Sequence, residues 1–96
     1  MIAANPRQSG LKYGIRGQEL YAMQDATIFA SYAQLAATYL GLASVWVGAF
    51  NEKEVKDILE LPDEIRPVAL LPIGYAAEEP DNRERKNLDE IIIKEI

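Results

Sequence analysis

From Ala26 to Asn51 the chain carries no charged side chain, and the order of apolar residues in that run sets the elements around which the rest is arranged. Ile28, Tyr32, Leu35 and Tyr39 recur at helical spacing, and Phe29, Ala33, Ala36 and Leu40 form the adjoining stripe. The pattern predicts a helix that begins between Glu19 and Asp25 and runs to Leu40. Apolar surface this wide implies burial on most sides. The small residues Ala26, Ala30, Ala33, Ala36 and Ala37 predict close approach of another helix. Glu19 and Asp25 suit the positive end of the helix dipole, and Gly41 suits the left-handed position that ends a helix.

Residues 44–48, rich in Val and Trp, predict a short, fully buried strand. Asn51 then caps a second helix, with Glu54 as its capping-box partner and Glu52 also in the first turn. Val55, Ile58 and Leu59 form the inner stripe of this helix, and Leu61-Pro62 stops it. Residues 67–75 predict another buried strand. Pro72 has no N–H to give, so a bulge or an unpaired side is expected there.

The flanks read differently. Met1 to Ala4 looks like the end of a strand, broken by Asn5-Pro6. Residues 6–17 hold Pro6, Gly10, Gly14 and Gly17 and predict a loop. That loop is basic, with Arg7, Lys12 and Arg16, and is either solvated or turned to an anion or a partner subunit. Ile91-Ile92-Ile93, near the far end, is too apolar for water. It predicts a strand that pairs outside its own unit, a common route to a dimer. The order strand, loop, helix, strand, helix, strand, strand describes a single domain over residues 1–96, α+β or α/β, with helices on a small sheet.

Composition narrows the function. With 96 residues there is room for one small domain. A hydrophobic share of 49% is globular and high for this length, which leaves apolar surface for a partner. A net charge of −5 argues against nucleic acid, which selects a basic face. The chain has neither cysteine nor histidine. Disulfides and thiolate chemistry are therefore excluded, and the commonest general base and metal ligand is missing. Catalysis would have to use a cofactor, carboxylates or backbone groups. Residues 26–51 are long enough for a membrane span, but Thr27, Ser31, Gln34, Thr38, Gly41, Ser44 and Gly48 interrupt them and no polybasic flank follows. The apolar part of the N-terminus is too short for a secretory signal. The expectation is a cytoplasmic protein without a membrane anchor.

Three places could carry chemistry. The first is the corner Val47-Gly48-Ala49-Phe50, between a strand and a capped helix. Gly48 lets the backbone come close to a ligand. The corner is either an ordinary turn or a pair of N–H donors for a planar heteroaromatic. The second is Arg83-Glu84-Arg85-Lys86, which is either a solvated charge run or a phosphate clamp. Arg83 and Arg85 share a side if the segment is extended. The third is Trp46 with Tyr13, Tyr21 and Tyr75, best read as core or interface aromatics. There is no metal-ligand spacing, no glycine-rich phosphate loop and no nucleophile beside a base.

Taken together, the segments YGIRG, LYAMQDATIFASYAQLAATYLGL, ASVWVGAFNEKEVKDILELP, RPVALLPIGYAAEEP and RERKNLDEIII resemble the C-terminal half of the nitroreductase family. These are NAD(P)H oxidoreductases dependent on flavin mononucleotide (FMN). The resemblance implies a nitroreductase-like α+β fold, present in part: a small, mostly antiparallel sheet, a long central helix and a second short helix. It implies that Gly48 and Ala49 meet the N5/O4 edge of the flavin and that Arg83 and Arg85 hold its phosphate. It further implies a homodimer through helix 20–40, with residues 91–93 as an arm on the partner's sheet. The implied activity is a ping-pong reduction of nitroaromatics, quinones or similar acceptors. Family members are about twice as long. The alternative is therefore a non-catalytic, half-length relative that serves as a dimerisation module.

Overall fold

The computed structural model describes residues 1–94. Strand β1 (Ile2–Ala4) leads into helix α1 (Pro6–Arg16), and a π-helical turn (Gly17–Tyr21) passes the chain to the long helix α2 (Ala22–Tyr39). Strand β2 (Ala43–Ser44), helix α3 (Glu52–Ile58), strands β3 (Arg66–Ala69) and β4 (Ile73–Gly74), and a one-turn helix α4 (Leu88–Ile91) follow.

The loop expected over residues 6–17 is a helix. Asn5 caps it, its Oδ1 accepting from Gln8 N at 3.0 Å, and Pro6 opens the first turn, where its missing N–H has no helical partner to lose. The same Asn-Pro pair that ends β1 thus starts α1. The glycines still act as breakers: Gly14 adopts φ 61° and ψ −146°, which kinks α1.

Helix α2 ends as its glycine predicts. Gly41 has φ +74°. Leu42 N donates to Ala37 O at 2.9 Å and Gly41 N to Thr38 O at 3.0 Å. These are the two bonds of a Schellman motif, which satisfies carbonyls the helix leaves open.

The strands form two antiparallel pairs, β1 with β3 and β2 with β4. Ala3 faces Pro67 and Ala43 faces Gly74. Pro72 explains why residues 67–75 divide. It accepts from Val45 N at 3.3 Å but has no N–H to return. The run therefore becomes two strands, and a single bridge at Val47 and Leu70 continues the second pairing.

Apart from Gly17 and Pro67, every buried residue among those described is an alanine: Ala4, Ala22, Ala26, Ala30, Ala37 and Ala69. Helix α2 packs on β1, β2 and β3, and Ala22 and Ala26 share a cluster with Ala4, Ile2 and Val68. Ala22 and Ala26 thus serve the chain's own sheet, where the pattern suggests a neighbouring helix, while Ala36 stays exposed. The large residues expected to be buried lie bare: Ile28, Phe29, Tyr32 and Leu35 are each more than half exposed, and Tyr39 is 90% exposed. Val45, Trp46, Ile58, Leu59 and Tyr75 are exposed as well. Residues 91–93 do not form a strand. Ile91 closes α4, and Ile93 is fully exposed.

The radius of gyration is 16.6 Å, against about 12.5 Å for a compact domain of this length. The accessible surface is 8307 Å², against about 5,500 Å² for a compact monomer of the same mass. The difference is large enough to be interface. No helix among the described residues is long and apolar enough to cross a membrane.

Candidate functional site

The corner begins where strand pairing stops. Val47 N donates to Leu70 O at 3.0 Å, and Leu70 N donates to Val47 O at 2.9 Å. The next two residues, Gly48 and Ala49, are exposed. Neither of their N–H groups has a hydrogen-bond acceptor among the described residues. An exposed, unpaired pair of donors at a strand end is available to a ligand, because no intramolecular bond must break first.

The far side of the corner is held by α3. Asn51 Oδ1 accepts from Lys53 N at 3.0 Å and from Glu54 N at 3.3 Å, while Asn51 Nδ2 donates to Glu54 Oε1 at 3.1 Å. The cap expected from sequence is present, with the glutamate closing on the asparagine amide. Helix α3 is tied to β3 by Glu52 and Arg66. The Arg66 Nη2 donates to Glu52 Oε1 at 2.8 Å, and its Nε lies 3.2 Å from both carboxylate oxygens. These bonds hold the Glu52 carboxyl below the usual carboxylate range and raise Arg66. Sequence reading gave this pair no role; its signal, a first-turn glutamate and an arginine opening the next strand, is loose at a separation of 14 residues.

Arg83 and Arg85 lie in an exposed segment without regular structure. Arg85 Nη1 donates to Arg83 O at 2.9 Å and to Glu84 O at 3.3 Å, bonds within its own segment. Neither arginine pairs with a carboxylate among the described residues. Hydrogen bonds and ion pairs among the described residues do not link this segment to Gly48 or Ala49.

Two of the basic residues at the start of the chain, Lys12 and Arg16, are engaged locally. Arg16 Nε donates to the Tyr21 hydroxyl at 3.1 Å, Lys12 lies over the Tyr13 ring, and Tyr13 meets Tyr21 edge to face. A cleft between β1, α1 and α2 is lined by Asn5, Lys12, Tyr13, Asp25 and Phe29, away from the corner residues. It depends on α1, which sequence reading had as a loop. Among the described residues, none of the acidic side chains cluster as a metal site.

The model of the nitroreductase family matches residues 1–75, and the chain belongs to that family. A relative in Methanocaldococcus jannaschii is 37% identical over 78 residues, covering 81% of this chain and 38% of its own length. The oxygen-insensitive NADPH nitroreductase of Salmonella typhimurium is 32% identical over 74 residues, covering 75% of this chain and 31% of its own. The crystal structure of a nitroreductase family protein from Streptococcus pneumoniae superposes with a TM-score of 0.78 at 30% identity, over 92% of this chain and 44% of that one. The nitroreductase-like α+β fold is therefore present, and the chain spans less than half the length of these relatives.

Proposed function

We propose that this chain is the C-terminal half of an FMN-dependent NAD(P)H oxidoreductase of nitroreductase type, acting as a homodimer on nitroaromatics, quinones or similar acceptors. The observation that carries the reading is the corner after Val47. In a member of the nitroreductase family, it offers two adjacent N–H donors that nothing else among the described residues uses.

The residues present fit the group. The donors of Gly48 and Ala49 would suit the N5/O4 edge of an isoalloxazine, whose N5 and O4 accept hydrogen bonds in the oxidised ring and whose O4 shares the negative charge of the reduced one. Among the described residues Arg83 and Arg85 are uncommitted to carboxylates, and their planar forks match phosphate oxygens two at a time. Among the described residues, engaging a phosphate releases Arg85 from carbonyls of its own segment. When bound, FMN would supply the two-electron chemistry, taking hydride from NAD(P)H and passing it to the acceptor in a ping-pong cycle. The chain's part is to bind, to orient and to place positive charge. That division of labour suits a protein without histidine or cysteine. The bare side of α2 supports the dimer, with residues 91–93 as an arm toward the partner. A cytoplasmic location, where reduced nicotinamide is supplied, belongs with this function.

The test is an absorbance spectrum of the protein after incubation with FMN and gel filtration. Yellow colour that elutes with a dimer supports the oxidoreductase. A colourless dimer would assign the chain instead to the half-length dimerisation module, which the same bare helix face accommodates.

A further inference from the structure

We propose that Trp46 is the positioning residue of the Gly48–Ala49 corner and that its indole N–H is a third donor there; this rests on the flavin reading above. Trp46 and Gly48 stand two residues apart on extended chain, so they share a face. A Cβ built on Gly48 would lie 3.3 Å from Trp46 Nε1 and 3.7 Å from its Cδ1. The nitrogen-bearing edge of the indole therefore lies against the bare Cα of Gly48. A methyl group at Gly48 would press on the ring edge and oblige the indole to give by a few tenths of an ångström.

The indole nitrogen makes no hydrogen bond among the described residues, and Trp46 is 37% exposed. A tryptophan N–H is a donor only, and it usually finds a partner when buried. Here it stands open beside two backbone donors that are also open. The three N–H groups suit a planar heteroaromatic with neighbouring acceptor atoms. The indole donor would add to the stabilisation of negative charge on that ring's edge.

Trp46 is the only tryptophan in the chain, so its emission reports on the corner directly. In the protein without added flavin, Gly48→Ala should shift the Trp46 emission maximum and increase its quenching by acrylamide, because the new methyl displaces the ring. Unchanged emission overturns the packing. In FMN titrations of the wild-type chain, Trp46 emission should fall in step with the yellow absorbance that co-elutes. Trp46→Phe keeps an aromatic ring and removes the donor. It should weaken FMN binding about three- to ten-fold, the usual worth of one hydrogen bond, and lower the midpoint potential of the bound flavin. A purely structural ring would leave the potential unmoved. Trp46→His, assayed at pH 8 with circular dichroism as the check on folding, returns a ring N–H and should recover part of both. If Trp46→Phe binds FMN as tightly and at the same potential, the donor role is wrong and the flavin reading stands. If the wild-type chain takes up no FMN, the flavin reading and the donor role fall together, while the emission of Gly48→Ala still decides the packing.

Discussion

Val47 and Leu70 exchange both of their backbone hydrogen bonds, at 3.0 and 2.9 Å, and this is the last pairing before the open N–H groups of Gly48 and Ala49. The bridge is what gives the corner a fixed origin. Leu70→Pro removes one donor and leaves the Val47 carbonyl without its partner. It should lower the unfolding free energy by about 1–3 kcal/mol, measured by urea denaturation, and should weaken FMN uptake. Leu70→Ala, which keeps the N–H, should weaken uptake much less. Equal losses of uptake in the two variants would mean that the side chain matters and the bridge does not.

Arg83 and Arg85 can be separated from the corner by choice of ligand. Replacing both with alanine should weaken FMN binding far more than riboflavin binding, since only FMN carries a phosphate. One bidentate charged contact accounts for roughly ten-fold or more in affinity. Calorimetry or fluorescence titration of the two flavins decides the matter, and equal weakening would remove the clamp.

The Glu52–Arg66 pair predicts a pH dependence of stability. The bonds to Arg66 lower the folded pKa of Glu52, so folding favours the ionised form. The pair's contribution is complete above the ordinary glutamate value of about 4.3 and is lost as pH falls through the lower folded value. Both side chains are about half exposed, so solvent limits the contribution to about 0.5–1 kcal/mol. Glu52→Gln should melt about 2–6 °C below wild type at pH 7. That gap should narrow as pH falls below the ordinary glutamate value and close only below the lowered folded value, where Glu52 is protonated in both states. A gap of constant size from pH 7 to pH 3 would show that the charge is irrelevant.

The bare side of α2 predicts association. Ile28, Tyr32, Leu35 and Tyr39 lie along one stripe and are all exposed within the single chain. Apolar surface of this extent marks an interface. The wild-type chain should sediment as a dimer, and Ile28→Glu with Leu35→Glu should convert it to a monomer or prevent cooperative folding. A wild-type chain that sediments as a monomer would contradict the assignment.

Much of this architecture was legible residue by residue. Period 3.6 in residues 26–40 and the glycine after them marked α2 and its end, and both are present. Asn51 and Glu54 marked the start of α3, and Pro72 marked an interruption that the sheet shows. The failures have specific physical causes. Asn5-Pro6 reads equally as a strand breaker and as a helix cap with proline in the first turn, and three glycines nearby tipped the reading toward a loop. Residues 91–93 have the β-branched character of a strand, but a strand needs an edge, and in the single chain the run begins inside α4.

The corner was legible as a place and not as a geometry. A glycine between a strand and a helix cap drew attention to Gly48, but nothing in the linear order said that the Trp46 ring fills the space beside it. That contact depends on a side-chain torsion and on the extended backbone between the two residues.

By itself, the sequence determined the long helix with its cap and stop, most of the strand segments and the absence of thiol and imidazole chemistry, because local propensity and composition decide these; the family rested on the likeness of whole segments to nitroreductases. Tertiary structure alone decided which side of α2 is buried. Alanines and large apolar residues are alike to a hydrophobic pattern, but a helix close to a two-stranded sheet has room only for methyl groups. The large side chains are therefore turned outward, where they stand exposed in the single chain.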